Sequence, residues 1–159
     1  MKPIVRPVEA DDRPWVEKLL EENWGSVRSV SCGKLYDASR LPGFVALVEG
    51  EPAGLATYHL ENGSCELVTL NSVIENRGVG TALIEAVKRV AIEAGCRRLW
   101  LITTNDNVEA LGFYQKRGFC LVALRPGAME YSRKLKPAIP ETGSHGIPIR
   151  DELELEVQL

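Results

Sequence analysis

Residues 75–80, Glu-Asn-Arg-Gly-Val-Gly, join the apolar run Leu67-Val68-Thr69-Leu70 to an amphipathic helix expected to begin near Thr81. A strand that feeds a glycine-rich turn opening a helix makes an anion site. The first N–H groups of that helix have no intrahelical partner, and the macrodipole adds partial positive charge there. Gly78 and Gly80 would let the backbone approach a ligand that any Cβ would obstruct. A phosphate or diphosphate is the natural occupant, and charged hydrogen bonds of about 1.5–3 kcal/mol each would anchor a cofactor. The same turn also arises where the junction geometry alone requires glycine. Two other phosphate loops are excluded. No Lys-Ser or Lys-Thr follows Gly80, as a nucleotide-triphosphatase loop requires. The first glycine of the dinucleotide fingerprint is also missing, because Asn76 and Arg77 precede Gly78.

The chain's 159 residues suit one domain with a single core: a body over residues 1–125, a surface excursion over 126–148 and a final strand over 149–159. A net charge of −3 leaves no electrostatic footprint for nucleic acid. Without an apolar stretch near 18 residues, or a basic-then-apolar N-terminus, neither a membrane partner nor a secretory signal is expected. Cys32, Cys65, Cys96 and Cys120 form no CxxC pair, and His59 and His145 are the two histidines, so no metal site is expected. Cys65, Cys96 and Cys120 adjoin apolar segments and read as reduced, buried, structural thiols, which fits a cytoplasmic location.

Periodicity orders the elements. Ile4 to Val8 reads as a strand, and Asp11-Asp12 caps a helix through about Glu22 with Trp15, Val16, Leu19 and Leu20 inward. Residues 23–42 read as irregular. Strands over 44–48, 53–60 and 65–73, with turn signals at Gly50 and Asn62-Gly63-Ser64, make an antiparallel meander. Leu83, Ile84, Val87, Val90, Ala91 and Ala94 recur at helical spacing until Gly95. The buried strand Leu99–Ile102 should then lie parallel to its predecessor. A helix over 107–117 ends at Gly118, and 119–124 is a strand. Four prolines mark the excursion around a helical piece near 129–135. Leu153 to Val157 alternates strictly, as a half-buried strand would.

Asn107-Val108-Glu109-Ala110-Leu111-Gly112-Phe113-Tyr114-Gln115-Lys116-Arg117-Gly118-Phe119 makes the reading specific. Here the sequence resembles the GNAT superfamily of acetyl-coenzyme-A-dependent N-acetyltransferases, over roughly residues 2 to 125. That family's signature Asn-x-x-Ala-x-x-Phe-Tyr-x-Lys-x-Gly-Phe is matched at every fixed position. Its Gln/Arg-x-x-Gly-x-Gly/Ala motif aligns with Glu75 to Gly80. The resemblance implies an α/β chain of α+β type with the acyl-CoA N-acyltransferase fold. In that fold a central, mostly antiparallel mixed sheet carries one splayed parallel pair and is flanked by helices. The splay is expected between the strand ending near Val73 and the strand 99–103.

The resemblance further implies that acetyl-CoA is held by Leu70, Asn71, Ser72, Glu75, Asn76, Arg77, Gly78, Val79, Gly80, Thr81, Asn107 and Tyr114. Glu75 departs from the family's Gln or Arg. A carboxylate would repel a diphosphate, so its side chain should turn outward with Arg77 as counter-charge. A backbone N–H near Leu70 would face the thioester oxygen. Tyr114 would protonate the departing thiolate, since a phenol near 10 stays protonated at neutral pH and a thiol near 8.5 accepts; packing is the alternative. Asn107 contacts pantetheine, caps its helix, or does both. Lys116 and Arg117 would reach a phosphate or merely offset the helix C-terminus.

Glu66 is the candidate general base, placed toward the cleft by strand parity with Leu70, with an ion-paired strand glutamate as the alternative. His59 is a second candidate. Trp24, Arg28, Tyr36 and Tyr58 either line an acceptor pocket or pack. The expected reaction is direct acetyl transfer to a primary amine of a small molecule or peptide. No cysteine is placed for a covalent intermediate. A non-catalytic acyl-CoA sensor on the same fold is the rival. The C-terminal strand is suited to pair within its own chain or across a homodimer.

Overall fold

In the computed structural model, which describes residues 2–75 and 77–159, tight hairpins shape the first half of the chain. Strands β2 (Arg28–Ser31) and β3 (Lys34–Asp37) pair across Cys32-Gly33, whose φ values are 49° and 75°. Both central residues at positive φ mark the turn whose twist matches a two-residue hairpin. Residues 23–42 are therefore not irregular throughout, as expected above. Their strands were hidden because cysteine is a poor turn marker and each strand is four residues long. The same turn recurs at Glu49-Gly50, between β4 (Gly43–Val48) and β5 (Glu51–Glu61), and at Asn62-Gly63, before β6 (Ser64–Ser72).

β1 (Ile4–Pro7) joins these in a seven-stranded sheet of order β1-β4-β5-β6-β7-β9-β8. Its other members are β7 (Arg98–Thr104), β8 (Cys120–Arg125) and β9 (Glu152–Gln158). Helices are α1 (Arg13–Trp24), α2 (Val79–Glu93), α3 (Val108–Lys116) and α4 (Ala128–Leu135). Every neighbouring pair in the sheet is antiparallel except β6–β7, which α2 connects as a crossover. That parallel pairing covers Ser64↔Arg98 to Glu66↔Trp100 and stops. β6 continues to Ser72 and β7 to Thr104, so the two strands open into a V. The mixed sheet with one splayed parallel pair is as expected.

The sheet's two faces are covered differently. On one, α2 buries Leu83, Ile84 and Val87 against Ala46, Ala56, Cys65, Leu67, Leu99 and Leu101. Each such aliphatic side chain contributes about 1.5–3 kcal/mol. On the other, α1 packs Val16, Leu19 and Leu20 onto Leu55 and Ala38.

β6 carries a bulge. Thr57 pairs with Thr69 while Tyr58 pairs with Leu67, so Val68 is an extra residue and reverses the alternation. Cys65, Leu67 and Leu70 pack with the α2 core, whereas Glu66, Thr69 and Asn71 are buried toward the α1 side. The expected shared face of Glu66 and Leu70 does not hold. The bulge puts them on opposite faces.

β9 lies inside the sheet, between β7 and β8 of its own chain. Two of its glutamates are buried with Leu155: Glu152 is 2% and Glu154 8% exposed, beside Leu155 at 0%. Arginines make this tolerable. Arg98 Nη1 donates to Glu154 (2.9 Å) and Glu156 (2.7 Å), and Arg125 donates to Glu152 (3.0 Å) and to Glu154. Among the thiols, Cys65 is buried, and that burial pushes its pKa up to about 12. Cys96 is half-buried, and Cys120, expected inside, is exposed on the edge strand β8. No helix among the described residues is long and apolar enough to cross a membrane.

Candidate active site

Two cavities lie on opposite faces of the V. The first, about 430 Å³, is walled by Leu70 and Ser72 of β6, the turn before α2, and Phe113, Tyr114 and Arg117 of α3. Gly78 caps α2 at φ 73° with no side-chain capping bond. The first helical bond across that end runs from Ala82 N to Gly78 O (3.0 Å). The N–H groups of Val79, Gly80 and Thr81 thus have no intrahelical acceptor, and all three residues line the cavity. The helix starts two residues before Thr81, because Gly78 alone takes the left-handed turn. Gly80 serves packing: a Cβ there would stand 2.8 Å from Phe113 Cζ, so the missing side chain admits the ring of α3. Arg117 ties the two helices together. It donates to Thr81 Oγ1 (2.9 Å) and Phe113 O (2.8 Å), and its guanidinium stacks 3.5 Å from the Phe113 ring centroid. Glu75 is exposed at the cavity rim and Arg77 is exposed beside it; Asn76 lies outside the described residues.

The free edge of β6 supplies donors to the opening. Val73 N donates to Ala53 O (2.7 Å), so residues 73, 71 and 69 are the hydrogen-bonded partners of β5. Alternation then turns the N–H groups of Leu70 and Ser72 away from β5, toward β7 and into the V. Tyr114 projects against Phe113 and Phe119, at ring separations of 5.3 and 5.5 Å. It is half-buried because its accessible edge meets the cavity, with protein around the remainder. Burial raises its pKa, partly offset by Arg117, so the hydroxyl holds its proton.

Asn71 stands elsewhere than expected, whereas Asn107 takes the cap expected of it. Asn71, placed with Leu70 and Ser72 along the cofactor, turns its side chain to the other face, where Trp24 Nε1 donates to its Oδ1 (3.2 Å). Asn107 caps α3, its Oδ1 accepting from Ala110 N (3.2 Å), and it borders the second cavity. Lys116 is exposed and lines neither cavity.

The second cavity, about 500 Å³, lies between the end of α1, β2, the V and the 136–149 segment. Val68 and Thr69 line it while Leu70 lines the first, and Thr104, Asp106 and Asn107 against Glu109 and Ala110 divide in the same way. The two spaces are back to back across the splayed strands.

Glu66 sits at the last paired position of the V, on the second cavity's face, 3% exposed. Burial raises its pKa; the Ser31 and Tyr36 hydroxyls and Lys34 pull it partly back. Tyr36 Oη donates to Glu66 Oε1 (3.1 Å). Ser31 Oγ, itself buried, favours the charged form by proximity without a bond of good geometry. His59 pairs across from Glu66, its ring 5.3 Å from that of Tyr36. Of the suggested pocket residues, Trp24 lines the cavity and Tyr36 covers Glu66. Arg28 is exposed outside it, and Tyr58 stacks on Phe44 on the opposite face. The excursion is more than surface: Met129, Lys136, Ile139 and Pro140 wall the cavity. Prolines and turn formers signal a loop in sequence, but nothing in them says where it folds back.

The sequence pattern of the Acetyltransferase (GNAT) family matches residues 8–119. The chain belongs to the GNAT acetyltransferase family. It is 46% identical to the uncharacterised protein YdhI of Bacillus subtilis (strain 168), over 94% of each chain. Solved structures share the GNAT fold at lower identity. The IAA acetyltransferase of Bacillus cereus ATCC 14579 superposes with a TM-score of 0.77 at 19% identity, covering 99% of this chain and 100% of that one. A Bacillus subtilis acetyltransferase in complex with CoA gives 0.71 at 19%, covering 99% of each.

Proposed function

We propose that this protein transfers the acetyl group of acetyl-CoA directly to a primary amine. The observation that carries the reading is the pair of cavities back to back across the V, one with donors for an anionic cofactor and the other on the face of a buried carboxylate. Bound acetyl-CoA would supply an activated acyl group as its thioester. The N–H groups of Val79, Gly80 and Thr81 would hold the diphosphate, with Arg117 bracing that end. The Leu70 N–H would face the thioester oxygen, where charge grows during attack. Glu66, its basicity raised by burial, would take the proton of the acceptor amine once Tyr36 yields, and the Tyr114 hydroxyl would protonate the departing sulfur. Glu75 and Arg77 remain rim residues in this scheme, and Asn71 and Asn107 act through their backbone and cap. The same reading treats residues 1–159 as one N-acetyltransferase domain, supported by β9 closing the sheet between β7 and β8.

Free-thiol release from acetyl-CoA over a library of primary amines tests this, together with calorimetry of CoA on the parent protein and Y114F. The expected outcome is amine-dependent release that falls about a hundredfold in Y114F, within the usual range for a general acid, at unchanged CoA affinity. CoA binding without any amine-accelerated release would instead favour a non-catalytic sensor. Absence of CoA binding would end the proposal.

A further inference from the structure

The charged groups lining the second cavity differ in what they leave free. Asp106, 6% exposed, accepts from the Thr104 hydroxyl at Oδ1 and from Ser144 N (3.0 Å) at Oδ2. Glu152, 2% exposed, has Oε1 on Arg125 (3.0 Å) and Oε2 on Cys32 N (3.3 Å). Both carboxylates are committed. Lys136 is not. Its Nζ donates to the Trp24 carbonyl (2.9 Å), and no carboxylate pairs with it among the described residues. An ammonium carries three donors, so two remain in a lining that also presents the apolar side chains of Trp24, Val30, Ile102, Met129 and Ile139. Burial lowers the Lys136 pKa, the signature of a cation without a counter-charge. The bond to Trp24 also closes the C-terminus of α1, which is the purely structural reading of this lysine.

Resting on the acetyl-transfer reading above, we propose that the acceptor is a small amine with an apolar body and a carboxylate, an amino-acid-like molecule whose carboxylate pairs with Lys136. A space of about 500 Å³ lies within the range of small-molecule sites. Trp24, 45% exposed at the wall, offers a flat apolar surface to the body of such a ligand. A polyamine or aminoglycoside would find Glu152 paired with Arg125 and Asp106 already accepting from Thr104 and Ser144.

Matched pairs of acceptors decide the matter: phenylalanine against phenylalaninamide, methionine against methioninamide, and 6-aminohexanoate against its amide. The amino-acid amides carry the less basic amine, so chemistry alone would favour them. The parent protein should show kcat/KM about tenfold to hundredfold higher for at least one acid than for its amide, the scale of one charge-assisted contact. K136M should erase that preference by lowering the acid alone, and K136R should keep part of it. Equal use of acid and amide by the parent overturns the proposal, as does a K136M variant that loses both alike, or acetylation confined to amines outside this panel. The parent's acid-to-amide ratio stands even if K136M fails to fold. If no amine of any kind accelerates thiol release, the acetyl-transfer reading itself fails, a distinct result.

Discussion

Adding a single methyl at Gly54 should disturb the N-terminal end of α2 from beneath. A Cβ built at Gly54 in β5 lies 2.4 Å from Val79 Cγ1, 2.9 Å from Asn71 O and 3.0 Å from Leu83 Cδ1. Ordinary carbon contacts lie near 3.5–4.0 Å, so Val79 would have to retreat by about 1 Å. Overpacking of this kind costs about 1–3 kcal/mol. The stiffer unfolded chain returns about 0.4–1 kcal/mol. The net loss for G54A is about 1–2 kcal/mol, and at about 2–4 °C per kcal/mol for a chain of this size the Tm should fall by about 2–8 °C. Because Val79 opens α2, its N–H would leave the line it forms with Gly80 and Thr81. Losing one charged contact should weaken CoA binding about tenfold or more. G112A is the matched control: its Cβ would meet nothing within 4 Å inside α3, so it should melt at or above the parent. Thermal melts and CoA calorimetry on the two variants read both effects. A G54A protein as stable as the parent, or a G112A protein equally destabilised, would refute the packing argument.

E66Q separates catalysis from stability. Because the folded-state pKa of Glu66 is raised, chiefly by burial, the native state binds that proton more tightly than the unfolded chain. Its contribution is therefore fully present below the unfolded value and is lost as pH rises through the folded one. Urea melts across pH should show E66Q losing less stability than the parent on going from acid to neutral pH, while amine-dependent thiol release drops; a steeper alkaline loss in E66Q would contradict the assignment. R125M attacks the acidic strand. Burial pushes Glu154 up, but hydrogen bonds from Arg125 and Arg98 outweigh it and hold its pKa low, so this stability exists at neutral pH and is lost as pH falls through the folded value. Removing Arg125 should cost about 3 kcal/mol, the low end for a broken buried pair given the half-exposed arginine, and should move acid unfolding to higher pH. An unchanged acid midpoint would count against it.

Much of this site was legible in the letters because local chemistry writes it there. Asn107 to Phe119 and Glu75 to Gly80 mark a cap, a helix face and a glycine-opened N-terminus, all set by neighbours in sequence. Other features depend on partners that sequence order does not display. Val68 is one inserted residue in a strand, and it becomes a bulge only against Thr57 and Tyr58 of β5. It moves Glu66 to the face opposite Leu70, the face that Asn71 already occupies by alternation. Gly80 looks like a ligand-facing glycine, yet Phe113 of α3 occupies the space.

By its sequence alone the chain determined which segments become strands and helices, β2 and β3 excepted, where α2 presents unpaired amides, and which tyrosine stands beside them, since periodicity, glycine and capping act over a few residues. The fold decided the two-sidedness of the site, the closed carboxylates of Asp106 and Glu152, and the free valence of Lys136. Those depend on strands and helices separated by tens of residues meeting across a sheet, and such meetings are fixed by burial and pairing in three dimensions.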